Sequence, residues 1–341
     1  MFVTSTPGAV LMRLNFTLCI ASALLVVCCN DAFSEDRLID RQPIDDEASL
    51  QFSNDRVYYN DAPLIHGHYN AWVNVTADAI FLTHSDSAFR SEILDPGNGT
   101  VTVAQDLEHG FPVAPRLRIG TLLLDSFRTE LSYFGTDGWN SSAQIRNVAP
   151  FPDLAADIDY EAQLHNIEWN FISGPSEIDA HWLIGVRYLN YQDSFLESYR
   201  LDPGFGPLIT ETAQGEAENS AFGPQIGVGL DLGGGTTFLQ LGGKLGLMNN
   251  RVTQTGAAYD TALTIDGNPE TRFSNRSDEF AWLGELSVTL NHFVTRSLSL
   301  RMGYQGLFLD NVAQSARQNG RQAMAEQISF HGAVFGLQWS R

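Results

Sequence analysis

The stretch that decides the fold is SLSLRMGYQGLFL, residues 297–309. Large apolar side chains recur at alternate positions, at Leu298, Leu300, Met302, Tyr304 and Phe308, and the positions between them are mostly Ser, Gly, Arg and Gln. Successive side chains of a β-strand point to opposite faces. The stretch therefore predicts a strand with one face in an apolar medium and the other face in a polar one.

The same alternation recurs along the chain and gives ten strand candidates. They are 66–82, 114–124, 127–135, 156–171, 181–188, 222–231, 236–248, 278–290, 297–309 and the last residues up to Trp339. In 156–171 the apolar residues change face near His165 and Asn166. A β-bulge inserts one extra residue and would restore the phase, so we expect a bulge there.

The connections between these candidates alternate in length. The short ones are 125–126, 172–178, 232–235 and 291–296, and the long ones are 83–113, 136–155, 200–218, 249–277 and 310–326. An outer-membrane barrel with both termini in the periplasm has short inner turns and long outer loops. We therefore predict an all-β, antiparallel up-and-down transmembrane β-barrel over 66–341, with ten strands, or twelve if 249–277 holds a further hairpin.

A secreted soluble β-sandwich or barrel is the competing interpretation, because a buried core also produces alternation. Two features favour the membrane. The polar faces are rich in Gly, Ser and Gln rather than in charge, which suits a crowded lumen. Aromatic residues also gather near both ends of the strands, as at Trp182 and Trp339 on one side and Trp282 and Tyr304 on the other, which is typical of membrane interfaces.

The N-terminus predicts export. Arg13 precedes an apolar run over 14–27, and small residues at Ala32 and Ser34 fit a leader-peptidase site, so 1–34 is interpreted as a secretory signal peptide. Lipid anchoring at Cys28 is the alternative. The acidic segment 35–65 is interpreted as a periplasmic lead-in or partial plug. The predicted location is the outer membrane of a bacterium with a double envelope.

Charge limits the partners. The 341 residues carry 20 basic and 40 acidic side chains, a formal net charge of −20. Nucleic-acid binding depends on Lys and Arg neutralising phosphates, so we expect no nucleic-acid partner. The expected partners are outer-membrane lipid, the barrel-assembly machinery and small solutes or ions. The oligomeric state stays open.

No enzyme, cofactor or metal site is expected. The eight histidines lack metal-ligand spacing, no G-x-S-x-G motif occurs, and all three cysteines lie inside the predicted signal peptide. DLGGGTT, 231–237, looks like the phosphate hairpin of actin-like ATPases, but without a second such hairpin it predicts a β-hairpin turn. A hydrolase assembled from His and Asp in the loops is the remaining alternative.

Charged residues on the predicted inner faces are the candidate site. The lumen candidates are Arg116, Arg118, Glu130, Asp157, Asp159, Glu161, Arg187, Lys244, Glu285 and Arg301. Asp157, Asp159 and Glu161 share a strand face and predict an acidic wall that selects cations, a calcium site or simply a hydrated strand end. The other charges either create a field across a channel or form salt bridges that plug a narrow barrel.

Several of these strands resemble a known family. FAWLGELSVTLNHFVTRSLSLRMGYQGLFLDNVAQSARQ, from Phe280 to Gln318, and FHGAVFGLQW, from Phe330 to Trp339, are similar to the outer-membrane β-barrel porin family of the planctomycete type. FGPQIGVGLDL and LIGVRYLNYQDSF carry the likeness further upstream. The resemblance covers about 66–339 and implies an outer-membrane barrel and a pore, but it transfers no functional residues.

The predicted function is a porin-like passive channel for small solutes. The negative net charge and the acidic external loops predict a preference for cations. The alternative is a non-conducting structural or ligand- and surface-binding barrel that acts through those loops. Strand number supports the alternative, because barrels of eight strands are filled by their own side chains and open channels need ~16 to 18.

Overall fold

A computed structural model describes residues 71–86, 92–93, 101–102, 111–124, 127–148, 151–174, 179–201, 209–260, 271–315 and 326–341. The predicted signal peptide at 1–34 and the acidic lead-in at 35–65 lie outside the described residues. Among the residues that the structure describes, no helix is long and apolar enough to cross a membrane.

The described part of the chain forms twelve strands. They are β1 (Val73–Asp86), β2 (Glu92–Ile93), β3 (Val101–Thr102), β4 (Val113–Leu124), β5 (Phe127–Val148), β6 (Phe151–Ser173), β7 (Ala180–Leu201), β8 (Ile209–Gly234), β9 (Thr237–Asp260), β10 (Thr271–Phe293), β11 (Leu298–Val312) and β12 (Glu326–Ser340). β2 and β3 pair only with each other. The other ten close into one antiparallel barrel, in which β1 pairs with both β4 and β12. The ten-strand prediction is confirmed, and the twelve-strand alternative is wrong because β9 pairs directly with β10.

The outer face of the barrel is an apolar belt. Leu131, Ile167, Ile226, Leu245 and Leu300 are between 44% and 61% exposed, and they alternate with buried neighbours along their strands. A soluble protein rarely exposes so large a continuous apolar surface. The belt is the surface that a bilayer covers, because closed barrels satisfy every backbone hydrogen bond within the membrane.

Strands β5 to β10 are much longer than a membrane requires. They contain 22 to 26 residues, whereas a tilted strand crosses a bilayer in about 9 to 11. Ladder pairing therefore continues through most of 136–155, 200–218 and 249–277, which the sequence predicts as loops. The difference arises because the outer strand ends keep pairing and packing on their inner faces after they leave the membrane.

The bulge predicted near His165 and Asn166 is wrong. Pairing between β6 and β7 runs without interruption through Leu164↔Tyr191 and Asn166↔Leu189. The inner face itself changes chemistry, from apolar side chains outside Leu164 to polar side chains from Asn166 inward. An irregularity in the neighbouring pair falls instead in β5, between Thr136 and Trp139.

The turn between β8 and β9 is the tight hairpin that DLGGGTT predicts. Gly233 and Gly235 have φ of 111° and 74°. A side chain is strained in this region of backbone conformation, whereas glycine adopts it freely. The glycine run is thus explained by the turn.

Candidate functional site in the barrel lumen

The inward-facing side chains of the barrel lie in layers. Along β1 they run from Asn74 and Thr76 through Asp78 to Ile80 and Leu82, all buried. On β6 the buried side chains follow a similar order, from Asn170 through Glu168 to Leu164. We call the second level the charged layer. Its members are Asp78, Arg116, Arg118, Glu168, Arg187, Lys244, Glu285 and Arg301.

One half of the charged layer is electrically balanced. Arg187 lies 2.7 Å from Glu285 and 3.5 Å from Glu168. Lys244 lies 2.8 Å from Glu168 and 3.2 Å from Glu285. Two cations therefore face two carboxylates in a closed ring of contacts, which we call the balanced cluster. Asn166 supports it by accepting a hydrogen bond from Arg187 Nε at 2.6 Å and donating one to Glu168 at 3.1 Å.

The other half holds three arginines around one carboxylate. Arg116 donates from Nε and Nη2 to Asp78 Oδ2 at 2.8 and 2.6 Å. Arg118 and Arg301 approach Asp78 only to 3.6 and 3.9 Å. We call this group the arginine cluster. Its members come from β1, β4 and β11, which closure of the barrel brings together.

The predicted lumen candidates divide into two sets. Arg116, Arg118, Glu130, Arg187, Lys244, Glu285 and Arg301 line a cavity or pair inside the barrel. Asp157, Asp159 and Glu161 do not: they are exposed and alternate with the buried Ile158 and Tyr160 on the same face of β6 as Ile167 and Trp169. The prediction that they form a wall of the lumen is corrected, because unbroken pairing in β6 keeps them on the outer face.

Two carboxylates of the charged layer, Asp78 and Glu168, are not among the residues that the sequence predicts for the lumen. Both are buried; Asp78 is the carboxylate at the centre of the arginine cluster, and Glu168 is one of the two carboxylates of the balanced cluster. Glu168 stands between Ile167 and Trp169, which face outward, so strict alternation would have placed it inside.

A cavity of about 140 Å³ lies within the charged layer. Both clusters contribute to its lining, together with Arg128, Glu130, His181 and Asp231. Asn74, Thr76 and Gln338, near the inner ends of β1 and β12, also line it, so it lies toward the periplasmic half of the barrel. The cavity has room for several water molecules or one small ion.

An apolar layer lies directly outside the charged layer. It consists of inward-facing, buried side chains: Ile80, Leu82, Phe134, Tyr160, Leu164, Leu189, Tyr191, Met248, Leu283, Leu307, Leu309 and Phe330. The rings of Tyr191 and Trp139 pack 5.5 and 5.4 Å from that of Phe330. The Tyr160 and Tyr191 hydroxyls satisfy each other at 2.9 Å. The His84 ring is also buried here, against Trp139 and Phe330. An ion crossing this layer would lose its hydration and meet few polar groups in exchange.

The segment 311–315 folds inward over the apolar layer and is called the latch. Asn219 clamps its backbone: Asn219 Nδ2 donates to the Ala313 carbonyl at 2.8 Å, and the Ala313 N–H donates to Asn219 Oδ1 at 2.9 Å. The Ser315 N–H donates to Asp193 Oδ2 at 2.7 Å, and the Ser315 hydroxyl donates to the same oxygen. Val312 to Ser315 are all buried. The latch is thus fixed to the inner faces of β7 and β8.

Within the described residues, no group of three or more His, Cys, Asp or Glu side chains is arranged to hold a metal ion. What the geometry shows is a narrow barrel in which the charged layer, the apolar layer and the latch follow one another outward.

Comparison with protein families decides the membership. The model of the family described as "Putative beta barrel porin-7 (BBP7)" matches residues 94–338, more than two thirds of the chain. The chain belongs to this family. It is an outer-membrane β-barrel, as the closed ten-strand architecture and the apolar belt also indicate. No curated protein matches the chain.

Solved structures resemble the barrel at low sequence identity. The outer membrane protease OmpT from Escherichia coli is 11% identical with a TM-score of 0.44, covering 80% of this chain and 94% of its own. Neisserial surface protein A is 11% identical with a TM-score of 0.33, covering 80% and 98%. The translocator domain of autotransporter NalP from Neisseria meningitidis is 11% identical with a TM-score of 0.32, covering 79% and 88%. At this identity the likeness concerns the fold alone.

Proposed function

We propose that this chain is an exported outer-membrane barrel that does not conduct in its resting state and acts as a structural or ligand- and surface-binding barrel. The observation that carries the proposal is the filled lumen. Arg187, Leu164 and Phe330, which belong to its two successive layers, have no solvent exposure. Ten strands are also closer to the eight that fill themselves than to the ~16 to 18 of open channels.

The surface that supports a binding role is the outer part of β6 to β8. Asp157, Asp159, Glu161, Glu216 and Glu218 are exposed there, and together they form what we call the acidic collar. Strands β6 to β8 are longer than a bilayer crossing needs, so the collar stands beyond the apolar belt. A depression of about 400 Å³ beside Glu161, Glu216 and Glu218 offers a recess in it. The chemistry fits a cationic ligand or surface.

Passive diffusion of small solutes is the second candidate. It is favoured by membership of a porin family and by the polar cavity inside the charged layer. In this case the apolar layer and the latch must move to admit solute, and the acidic collar would concentrate cations at the mouth. We also propose that the chain is of the planctomycete type and is exported by its signal peptide. It would be inserted by the barrel-assembly machinery and would have no enzymatic activity.

Single-channel conductance in planar bilayers separates the two candidates. The protein is purified in detergent and first shown to be folded by a heat-dependent gel shift. We expect no unitary steps from the folded wild-type chain. Stable steps with a cation-selective reversal potential would instead support the passive channel and overturn the resting closure.

Binding to the collar is tested separately. The triple variant Asp157→Asn, Asp159→Asn and Glu161→Gln should lose retention of a cationic polylysine probe at low salt. The matched control is Asp278→Asn, which removes another exposed carboxylate outside the collar. Equal retention by the triple variant and the wild type would contradict a role for the collar.

A further inference from the structure

The charges of the arginine cluster do not cancel. The balanced cluster opposes two cations with two carboxylates, but Asp78 is the one described carboxylate within 4 Å of Arg116, Arg118 and Arg301. Burying a charge without a partner is costly, so an excess of positive charge inside a barrel requires compensation. A compensating anion is the direct chemical solution.

Donor groups in this cluster are also unused. Arg118 Nε and Nη2 and Arg301 Nε are buried and have no hydrogen-bond partner. Their nearest opposite charge is Asp78, and the separations of 3.6 and 3.9 Å exceed hydrogen-bond length. The Arg301 side chain is only 4% exposed. Bulk water therefore does not satisfy its Nε.

The neighbouring charges do not remove the excess. Arg128 and Glu130 line the same cavity and are opposite in sign, and Glu130 also attracts Arg301. Asp231 also lines it and accepts a hydrogen bond from Gln240 Nε2 at 3.1 Å. The arginine cluster, the balanced cluster, Arg128, Glu130 and Asp231 together hold six cations and five carboxylates. The one extra positive charge is concentrated around Asp78.

We propose that the cavity in the charged layer is a binding site for a small oxyanion, of the phosphate or carboxylate class, held between Arg118 and Arg301. Guanidinium groups present fixed forks of donors that match pairs of oxygens on such anions. The cavity of about 140 Å³ has space for one of them. The apolar layer covers its outer side, so the anion enters from the periplasmic end.

This site would bind anions, whereas the composition of the chain predicts a preference for cations. A net charge of −20 predicts a preference for cations, but most of the acidic excess lies away from the cavity. The proposal does not depend on conduction: an anion binds at the inner end whether the apolar layer opens or stays closed. Failure of the conductance prediction and failure of this one are therefore separate results.

Phosphate titration of the folded full-length barrel tests the site. Inorganic phosphate is added at constant ionic strength, against chloride, and binding is followed by calorimetry and by the midpoint of the heat-dependent gel shift. We expect saturable binding and a rising midpoint in the wild type. Arg118→Gln and Arg301→Gln should each weaken the apparent affinity by about 10- to 100-fold, because each removes charge-assisted hydrogen bonds.

Two further variants keep the test decisive. Asp78→Asn removes the carboxylate that competes for the arginines, so phosphate should bind more tightly and raise the midpoint more than in the wild type. Arg251→Gln, an exposed arginine paired with Asp278 outside the lumen, should leave phosphate binding unchanged. The proposal is overturned if folded wild-type protein shows no saturable phosphate binding, or if Arg118→Gln and Arg251→Gln behave alike.

Discussion

The charged layer and the apolar layer are neighbours on the same strands and are stabilised in different ways. On β1, Asp78 is followed two residues later by Ile80, and on β6, Glu168 lies four residues from Leu164. In the apolar layer each side chain contributes by its own contacts. In the charged layer no side chain is favourable alone, because each buried charge depends on a partner from another strand. Truncating side chains of the apolar layer should therefore lower the stability of the barrel step by step. Removing one charge from the charged layer should lower it sharply.

The largest effect is expected from Glu168→Gln. The variant leaves Arg187 and Lys244 sharing a single carboxylate, and breaking a buried ion pair on one side costs about 3 to 5 kcal/mol. The free energy of unfolding, measured by guanidinium titration of the barrel in lipid vesicles, checks this. Adding Lys244→Met should recover part of the loss. A strictly additive double variant would mean that the balanced cluster is not coupled.

Leu189→Ala should cost somewhat less, about 3 kcal/mol, through lost burial and the cavity that remains. Leu189 has no solvent exposure and belongs to the apolar layer. The same unfolding measurement applies. Leu131→Ala, on the lipid-facing side, is the matched control and should cost less because lipid fills the space. A larger loss at Leu131 than at Leu189 would argue against a packed apolar layer.

Releasing the latch should have a smaller effect. Asn219→Ala removes two hydrogen bonds to Ala313 and should cost about 1 to 3 kcal/mol. A second readout is access: Ala313→Cys should react faster with a membrane-impermeant maleimide in the Asn219→Ala background than in the otherwise wild-type chain. Ser220→Ala, one residue along β8 and facing outward, is the control. Unchanged labelling would mean that Asn219 does not hold the latch.

The smallest effect is expected at Asp159. The side chain is exposed on the outer face, so Asp159→Asn should change the unfolding free energy by less than about 0.5 kcal/mol. Glu285→Gln, which removes a carboxylate of the balanced cluster, is the comparison and should destabilise strongly. If Asp159→Asn destabilised the barrel as much as Glu285→Gln, the assignment of Asp159 to the outer face would be wrong.

The candidate site was only partly predictable. The sequence predicts Arg187, Lys244 and Glu285 as lumen residues because each lies on the polar face of a strand whose other face is clearly apolar. Asp157 and Asp159 were misplaced because the rule that apolar residues face outward fails where a strand leaves the membrane. There the inner face carries the packed apolar layer, and the outer face carries charge.

The sequence alone determined the number and order of the ten barrel strands, although not their outer ends, because alternation and connection length are local properties of the chain. Only the tertiary structure decided which inward side chains meet. Asp78 and Arg301 are far apart in sequence and come together because β1, β12 and β11 are successive neighbours in the closed sheet. The sign and balance of the buried charges depend on that closure, so a net charge summed along the chain could not reveal the excess of arginine inside.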